Sequence, residues 1–176
     1  MRRMLLAVCA AGGLGLAARA EAQFANHSIG LSVGYLNYSF VGTPTGLGGG
    51  VNVGIDYSLF FDSGLDLYAR SLLGIYTVAG NVSIPVGGGL GVRYLFLQEW
   101  FQPYLGLSLN FAYFTFQSPD WGNVLFGASA YAGAQYYFTP SFSLGLTAEY
   151  QLNFATVNNF PLYHGIGAFG RAAMHF

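Results

Sequence analysis

The stretch Val82–Phe96, VSIPVGGGLGVRYLF, decides the fold class because its apolar residues recur at every second position. Apart from Gly88, its even positions are all large and apolar, and its odd positions are mostly serine, proline, glycine and arginine. The stretch Phe142–Phe154, FSLGLTAEYQLNF, repeats the pattern. A period of two indicates a β-strand with one apolar face. Residues 71–92, 100–119 and 121–148 carry no charge and would suggest membrane helices by hydropathy alone, but this period argues against helices.

The same alternation runs along the chain and predicts eight strands. Their bounds are 28–38, 47–60, 65–78, 82–96, 103–116, 124–138, 142–154 and 162–176. A sheet can cross a lipid bilayer only as a closed barrel, since every backbone group must be paired there. We therefore predict an all-β protein, an eight-stranded antiparallel up-and-down transmembrane β-barrel. The alternative is a soluble sandwich or barrel, whose polar face would carry lysine and glutamate; here that face is mainly glycine and serine.

The composition also argues against an ordinary soluble domain. Of 176 residues, 7% are charged and 53% are hydrophobic, whereas a soluble domain has roughly 25% charged residues. Lysine is absent and the formal net charge is −1. The chain thus has no basic surface for nucleic acid.

The first 22 residues have the pattern of a cleaved secretory signal peptide. A basic start precedes the apolar run 5–16, and small residues at Ala20 and Ala22 fit a cleavage site. This assigns 1–22 to the signal peptide and 23–176 to the barrel. A lipoprotein site at Cys9 is the weaker alternative, because Val8 fits such a site poorly. After cleavage no cysteine remains, so neither disulfides nor thiol chemistry are expected.

Aromatic residues and turns predict how the barrel is oriented. An interfacial girdle at one rim is expected from the strand ends Tyr57, Phe60, Phe61, Tyr94, Phe96, Tyr136, Tyr137, Phe138 and Phe142. Tight turns at 62–64, 98–102 and 139–141 alternate with connections at 41–46, 79–81, 117–123 and 155–161. We expect both termini and the tight turns on the periplasmic side. The external connections are short, which weakens an adhesion or receptor role.

These features resemble the small outer-membrane barrels of bacteria, the class of the OmpA membrane domain, OmpX and the opacity-like porin family. The segment Tyr136–Gly145 is similar to their strand–turn–strand style, and the chain ends on Phe176 with Met174 two residues before it. The resemblance implies an outer-membrane location and an assembly signal at Met174 and Phe176, with Gly170 about one position from the glycine usual in that signal. The implied partners are outer-membrane lipids, the barrel-assembly machinery and envelope proteins.

Six charged residues of the predicted strands fall on inward positions. They are Asp56, Asp66, Arg70, Arg93, Glu149 and Arg171. Hairpin geometry predicts Asp56 opposite Arg70 across a turn centred on Ser63, and Glu149 opposite Arg171 across a loop centred on Phe160. It places Asp66 within about one residue pair of direct opposition to Arg93.

Two interpretations of this charge network remain open. In the first, paired charges and the inward rings of Tyr68, Tyr76, Tyr104, Tyr131 and Phe169 plug a narrow lumen, and the protein has a structural or envelope-complex role. In the second, inward glycine and serine leave a narrow passive pore for small solutes or ions.

An enzymatic role has little support in the chain. Gly165–Gly170 matches G-x-G-x-x-G, but only six residues follow, so no βαβ unit exists for a dinucleotide. His27, His164 and His175 lack the spacing of metal ligands. Some barrels of the resembling class modify lipid A with a serine–histidine–acid set, and no such set shares one outward face here. We predict no catalytic residue, metal or cofactor.

Overall fold

The computed structural model describes residues 25–41, 46–78, 81–118, 122–156 and 162–176. Every regular element in these ranges is a β-strand: β1 His27–Phe40, β2 Gly46–Phe60, β3 Leu65–Val78, β4 Asn81–Ser83, β5 Val86–Leu95, β6 Phe101–Ser118, β7 Gly122–Thr139, β8 Phe142–Ala155 and β9 Leu162–His175. Within these ranges no helix is long and apolar enough to cross a membrane. The predicted signal peptide and its cleavage site lie outside the described residues.

The strands close into an antiparallel barrel. Apart from β4, each strand pairs with its neighbours along the chain, and β1 pairs with β2 on one side and β9 on the other. β4 and β5 share one position beside β3, so the barrel has eight strand positions. This confirms the predicted fold class.

One predicted strand is interrupted. The segment 82–96 was predicted to be continuous, but it is divided between β4 and β5 at Ile84 and Pro85. Proline has no backbone N–H and cannot donate to the ladder. The Pro85 carbonyl still accepts a hydrogen bond from the Gly74 N–H at 2.9 Å, so β3 remains attached across the break. The alternation of inward and outward side chains also continues through it.

The other strands begin and end close to the predicted positions. The largest difference is in β6, which the pattern placed at 103–116 and which extends two residues further at each end. β7, placed at 124–138, begins two residues earlier and ends one residue later. Gln102, predicted to lie in a turn, belongs to β6 and points into the barrel with 2% of its surface exposed. Its amide oxygen accepts a hydrogen bond from Gln135 Nε2 on β7 at 2.8 Å. The turn between β5 and β6 therefore covers residues 96–100.

Apolar side chains cover the outside of the barrel. On β6, Leu105, Leu107 and Leu109 are 53%, 62% and 71% exposed, while their inward neighbours Tyr104 and Ser108 are buried. In a soluble barrel the leucines would fill the core and the serine would meet water. The observed inversion is the arrangement that a lipid-spanning barrel requires.

Aromatic rings and glycines fit together inside the barrel. Each of six inward rings lies opposite a glycine on the adjacent strand, the pairs being Tyr38 with Gly165, Tyr68 with Gly91, Tyr76 with Gly50, Tyr104 with Gly133, Tyr131 with Gly106 and Phe169 with Gly34. A Cβ atom at Gly106 would lie 2.6 Å from Cε2 of Tyr131. Glycine therefore provides the space in which each ring lies, and the rings fill the lumen.

The predicted aromatic girdle is correct for its outward members and wrong for two others. Tyr57, Tyr94 and Phe138 are exposed on the outside near one rim, whereas Tyr137 is 1% exposed and points inward. Phe60 also turns inward, with its ring centroid 5.8 Å from the Arg93 guanidinium. Both positions have the inward parity of their strands, so the alternation was a better guide than closeness to the strand end.

The three tight turns and both ends of the described chain meet at one rim. The His27 N–H donates to the Phe176 carbonyl at 3.2 Å, and the His175 N–H donates to the Ser141 carbonyl at 2.9 Å. Gln98 Nε2 donates to the Asp62 carbonyl at 2.7 Å, which joins two of the turns. The predicted grouping of turns is confirmed, and the side of the membrane on which this rim lies stays a prediction.

Candidate functional site in the lumen

All six predicted lumen charges lie inside the barrel. The carboxylates of Asp56, Asp66 and Glu149 are buried, and so is Arg93. The side chains of Arg70 and Arg171 are 9% and 8% exposed. Charges buried to this degree must be paired and hydrogen-bonded, because desolvation of an isolated ion is expensive.

The pair of Asp66 and Arg93 forms as the sequence predicts. The two residues are directly opposite in the ladder between β3 and β5, and Arg93 Nε donates to Asp66 Oδ2. Arg93 Nη2 also donates to Ser58 Oγ at 3.3 Å. The Tyr104 ring centroid lies 4.8 Å from the guanidinium carbon, within the range of a cation–π interaction. With 6% of its side chain exposed, Arg93 is the most buried of the three arginines.

The other two ion pairs do not join residues that are directly opposite in a ladder. Asp56 is opposite Arg70 in register, as predicted. However, Arg70 Nη2 pairs with Glu149 Oε1 at 2.9 Å, and Asp56 Oδ1 pairs with Arg171 Nη2 at 2.5 Å. Arg171 Nε donates to the same Asp56 oxygen at 2.7 Å. Arg70 on β3 thus reaches Glu149 on β8, on the opposite side of the barrel. Arg171 on β9 reaches only as far as β2, passing beside Gly30 of the intervening β1.

The predicted opposition of Glu149 and Arg171 is wrong. In the ladder between β8 and β9, Glu149 faces Gly167 and Arg171 faces Gly145. This register centres the hairpin on residue 158, two positions before the Phe160 that the prediction used. An error of two at the centre displaces the expected partners by four residues, which is more than a direct side-chain contact can span.

Amide side chains extend the charge network toward the end of the lumen that is opposite the tight turns. The sequence analysis did not identify this feature. Gln151 Nε2 donates to Glu149 Oε1 at 2.8 Å, and Tyr38 OH donates to Gln151 Oε1 at 2.8 Å. Asn153 Oδ1 accepts from Asn110 Nδ2 at 2.9 Å. These side chains had inward parity in the alternation, but their partners depend on barrel closure.

The remaining space in the lumen is small. One cavity of about 40 Å³ lies among the charged residues, and another of about 20 Å³ lies beyond Arg70, next to Asn110. An apolar cluster that includes Leu36, Phe114 and Leu125 packs with Tyr38 and Tyr76 in the same half as the second cavity. The inward tyrosines and Phe169 are placed as predicted, so the described part of the lumen is filled by side chains.

Two histidines lie at the rim that carries the tight turns. His175 Nε2 lies 2.8 Å from Ser143 Oγ, and its Nδ1 lies 3.3 Å from Tyr137 OH. The sequence analysis considered only outward faces and missed this inward contact. Among the residues that the structure describes, no acidic side chain is hydrogen-bonded to His175, and Ser143 is 1% exposed. His27 Nδ1 lies 2.6 Å from Tyr57 OH.

The other residues that the sequence analysis singled out lie in β9 or directly after it. Gly165 and Gly167 line the lumen in β9 as expected. His164 lies on the outer face, with its ring 6.2 Å from that of Tyr150. Met174 and Phe176 are exposed on the outside, at the rim with the tight turns. Within the described ranges, no three histidine, cysteine or acidic side chains are grouped as a metal site.

The closed eight-position barrel, its apolar exterior and its neutralised polar lumen define a class, the small transmembrane β-barrels. Solved structures of this class are similar to the chain. Neisserial surface protein A (NspA) has a TM-score of 0.64 at 19% identity over 86% of this chain and 97% of its own. OprG from Pseudomonas aeruginosa has a TM-score of 0.54 at 12% identity over 87% and 98%.

The outer membrane enzyme PagL has the same fold, with a TM-score of 0.55 at 15% identity over 82% of this chain and 97% of its own. At these identities the likeness is one of fold. No protein-family model and no curated protein sequence matches the chain. The chain therefore has the fold of small bacterial outer-membrane barrels, of which some are enzymes and some are not.

Proposed function

We propose that the protein is an integral outer-membrane β-barrel with a plugged lumen and a structural or envelope-complex role. The apolar exterior supports a position in lipid, since leucine, isoleucine and valine are exposed around the barrel. The fold shared with bacterial outer-membrane proteins supports the outer membrane in particular. Lipids would contact the outer face, and the assembly machinery would recognise the last strand.

The plugged lumen is supported by one observation: side chains leave little free space inside the barrel. The cavity among the lumen charges measures about 40 Å³, which is room for a few water molecules. A conducting pore needs a continuous water column, and here Tyr68, Tyr104 and Tyr131 lie around the pair of Asp66 and Arg93. Eight-stranded barrels have an interior just wide enough for side chains.

The proposal includes no enzymatic step. The contact between Ser143 and His175 lacks an acid to orient the imidazole, and the hydroxyl is buried. A serine nucleophile needs both a base held in place by a third group and access to substrate. The fold shared with PagL does not supply these features to this chain.

Planar-bilayer conductance of refolded residues 23–176 tests the proposal. A heat-shift gel in parallel establishes that the barrel has folded. We expect a folded band and no discrete channels, and the search for function would then move to partners crosslinked at the turns. Reproducible channels that change when Arg93 or Arg171 is neutralised would instead establish the narrow passive pore.

A further inference from the structure

The larger of the two lumen cavities described above lies between two ion pairs. It is lined by both members of the pair Asp56 with Arg171 and of the pair Arg70 with Glu149, and also by Arg93 and Ser32. Its volume is about 40 Å³. Because one water molecule needs at least roughly 10–15 Å³ of such space and occupies ~30 Å³ in the liquid, two or three waters fit.

Three charged atoms of these lining residues lack a hydrogen-bond partner among the described residues. They are Arg70 Nε, Glu149 Oε2 and Arg171 Nη1. The side chains that carry them are 9%, 1% and 8% exposed. Buried charged groups in folded proteins are almost always satisfied by protein or by ordered water. Two of the three atoms are donors and one is an acceptor.

We propose that this cavity binds two or three ordered water molecules that join the two ion pairs into one hydrogen-bonded network. Water suits the site because each molecule both donates and accepts, as the mixed set of atoms requires. A bound anion would satisfy Arg70 and Arg171 and would be attracted by Arg93, but the carboxylates of Asp56 and Glu149 would repel it. A bound cation would meet the opposite conflict. This site rests on the proposed function, because the water molecules would complete the plug that the side chains form.

Crystallography with an anomalous scatterer tests this assignment. Protein purified from the membranes of an expressing bacterium is crystallised, and crystals are soaked in sodium bromide before diffraction at the bromine edge. We expect two or three density peaks within hydrogen-bond distance of the three charged atoms and no anomalous signal there. A bromide peak in the cavity would overturn the water assignment in favour of an anion, and a cavity without density would overturn it altogether.

A variant places the site independently. Ser32→Val adds methyl groups toward the cavity and removes a hydroxyl, so at least one peak should disappear. Ser129→Val is the matched control, because Ser129 is equally inward and buried, at 4% exposure each, but does not line the cavity. Retention of every peak in Ser32→Val would contradict the assigned position. Ser32→Thr adds a single methyl group and serves the same purpose if the valine variant does not fold.

Discussion

Arg70 is the lumen charge whose partner differs most between the strand register and the closed barrel. The register places it opposite Asp56, whereas its guanidinium pairs with Glu149 across the lumen at 2.9 Å. The single variants Arg70→Met and Glu149→Leu each leave an uncompensated buried charge. Each should lower the free energy of unfolding by ~3–5 kcal/mol.

The double variant should be much less destabilised than the sum of the two singles. Removing both charges leaves an apolar pair of similar volume, which is often close to neutral. Part of the cost remains, since Gln151 Nε2 loses its acceptor on Glu149, and an unsatisfied buried donor costs ~1–3 kcal/mol. We therefore expect a coupling energy between Arg70 and Glu149 of at least ~2 kcal/mol.

A second cycle, between Arg70 and Asp56, is the matched control. The Asp56 carboxylate is engaged by Arg171, so its coupling to Arg70 should be about half of the Glu149 value or less. Urea unfolding in lipid vesicles, followed by the fluorescence of the two tryptophans, gives all the free energies. A heat-shift gel verifies that each variant folds. A larger coupling to Asp56 than to Glu149 would refute the cross-lumen pairing.

Three further predictions concern the packing, the lipid face and the rim. Gly106→Ala should cost ~1–3 kcal/mol in urea unfolding, because its Cβ would overlap the Tyr131 ring; Gly170→Ala, whose Cβ would have no atom nearer than 3.8 Å, is the control and should cost little. Equal losses would contradict the fit of ring and glycine. Leu107→Arg should cost ~2–4 kcal/mol in vesicles, and a neutral effect would argue that this face does not meet lipid. A fluorophosphonate probe should leave Ser143 unlabelled in the folded barrel, as its hydroxyl is buried; stoichiometric labelling detected by mass spectrometry would revive an enzymatic role.

The sequence was sufficient to predict which way most side chains point. A period of two is a local property of an extended strand, so it survives errors of one or two residues in the strand ends. Gln102 shows this, since it was placed in a turn and yet lies on the inward face that its parity requires. Tyr137 shows the converse, because its proximity to the rim misled the girdle prediction that its parity would have corrected.

Partners across the lumen could not be predicted in the same way. The pair of Asp66 and Arg93 was accessible because it lies on adjacent strands in direct register. Arg70 and Glu149 are on β3 and β8, which share no ladder, and their contact exists only once the barrel closes. The register of the hairpin before β9 also depends on the loop between residues 156 and 162, where length alone does not fix the centre.

The distribution of charge between the lumen and the turns indicates where a basic partner would bind. The lumen holds three arginines and three acids, so its formal charge is zero. Residues 23–176 contain three arginines and six acids, a formal net charge of −3. The excess therefore belongs to Asp62, Glu99 and Asp120, the first two in turns at the rim with both chain ends and the third outside the described residues. A neutral lumen gives little electrostatic attraction to ions in solution. A basic envelope partner would instead meet Asp62 and Glu99 at that rim, and crosslinking of such a partner should weaken when both are changed to the amide.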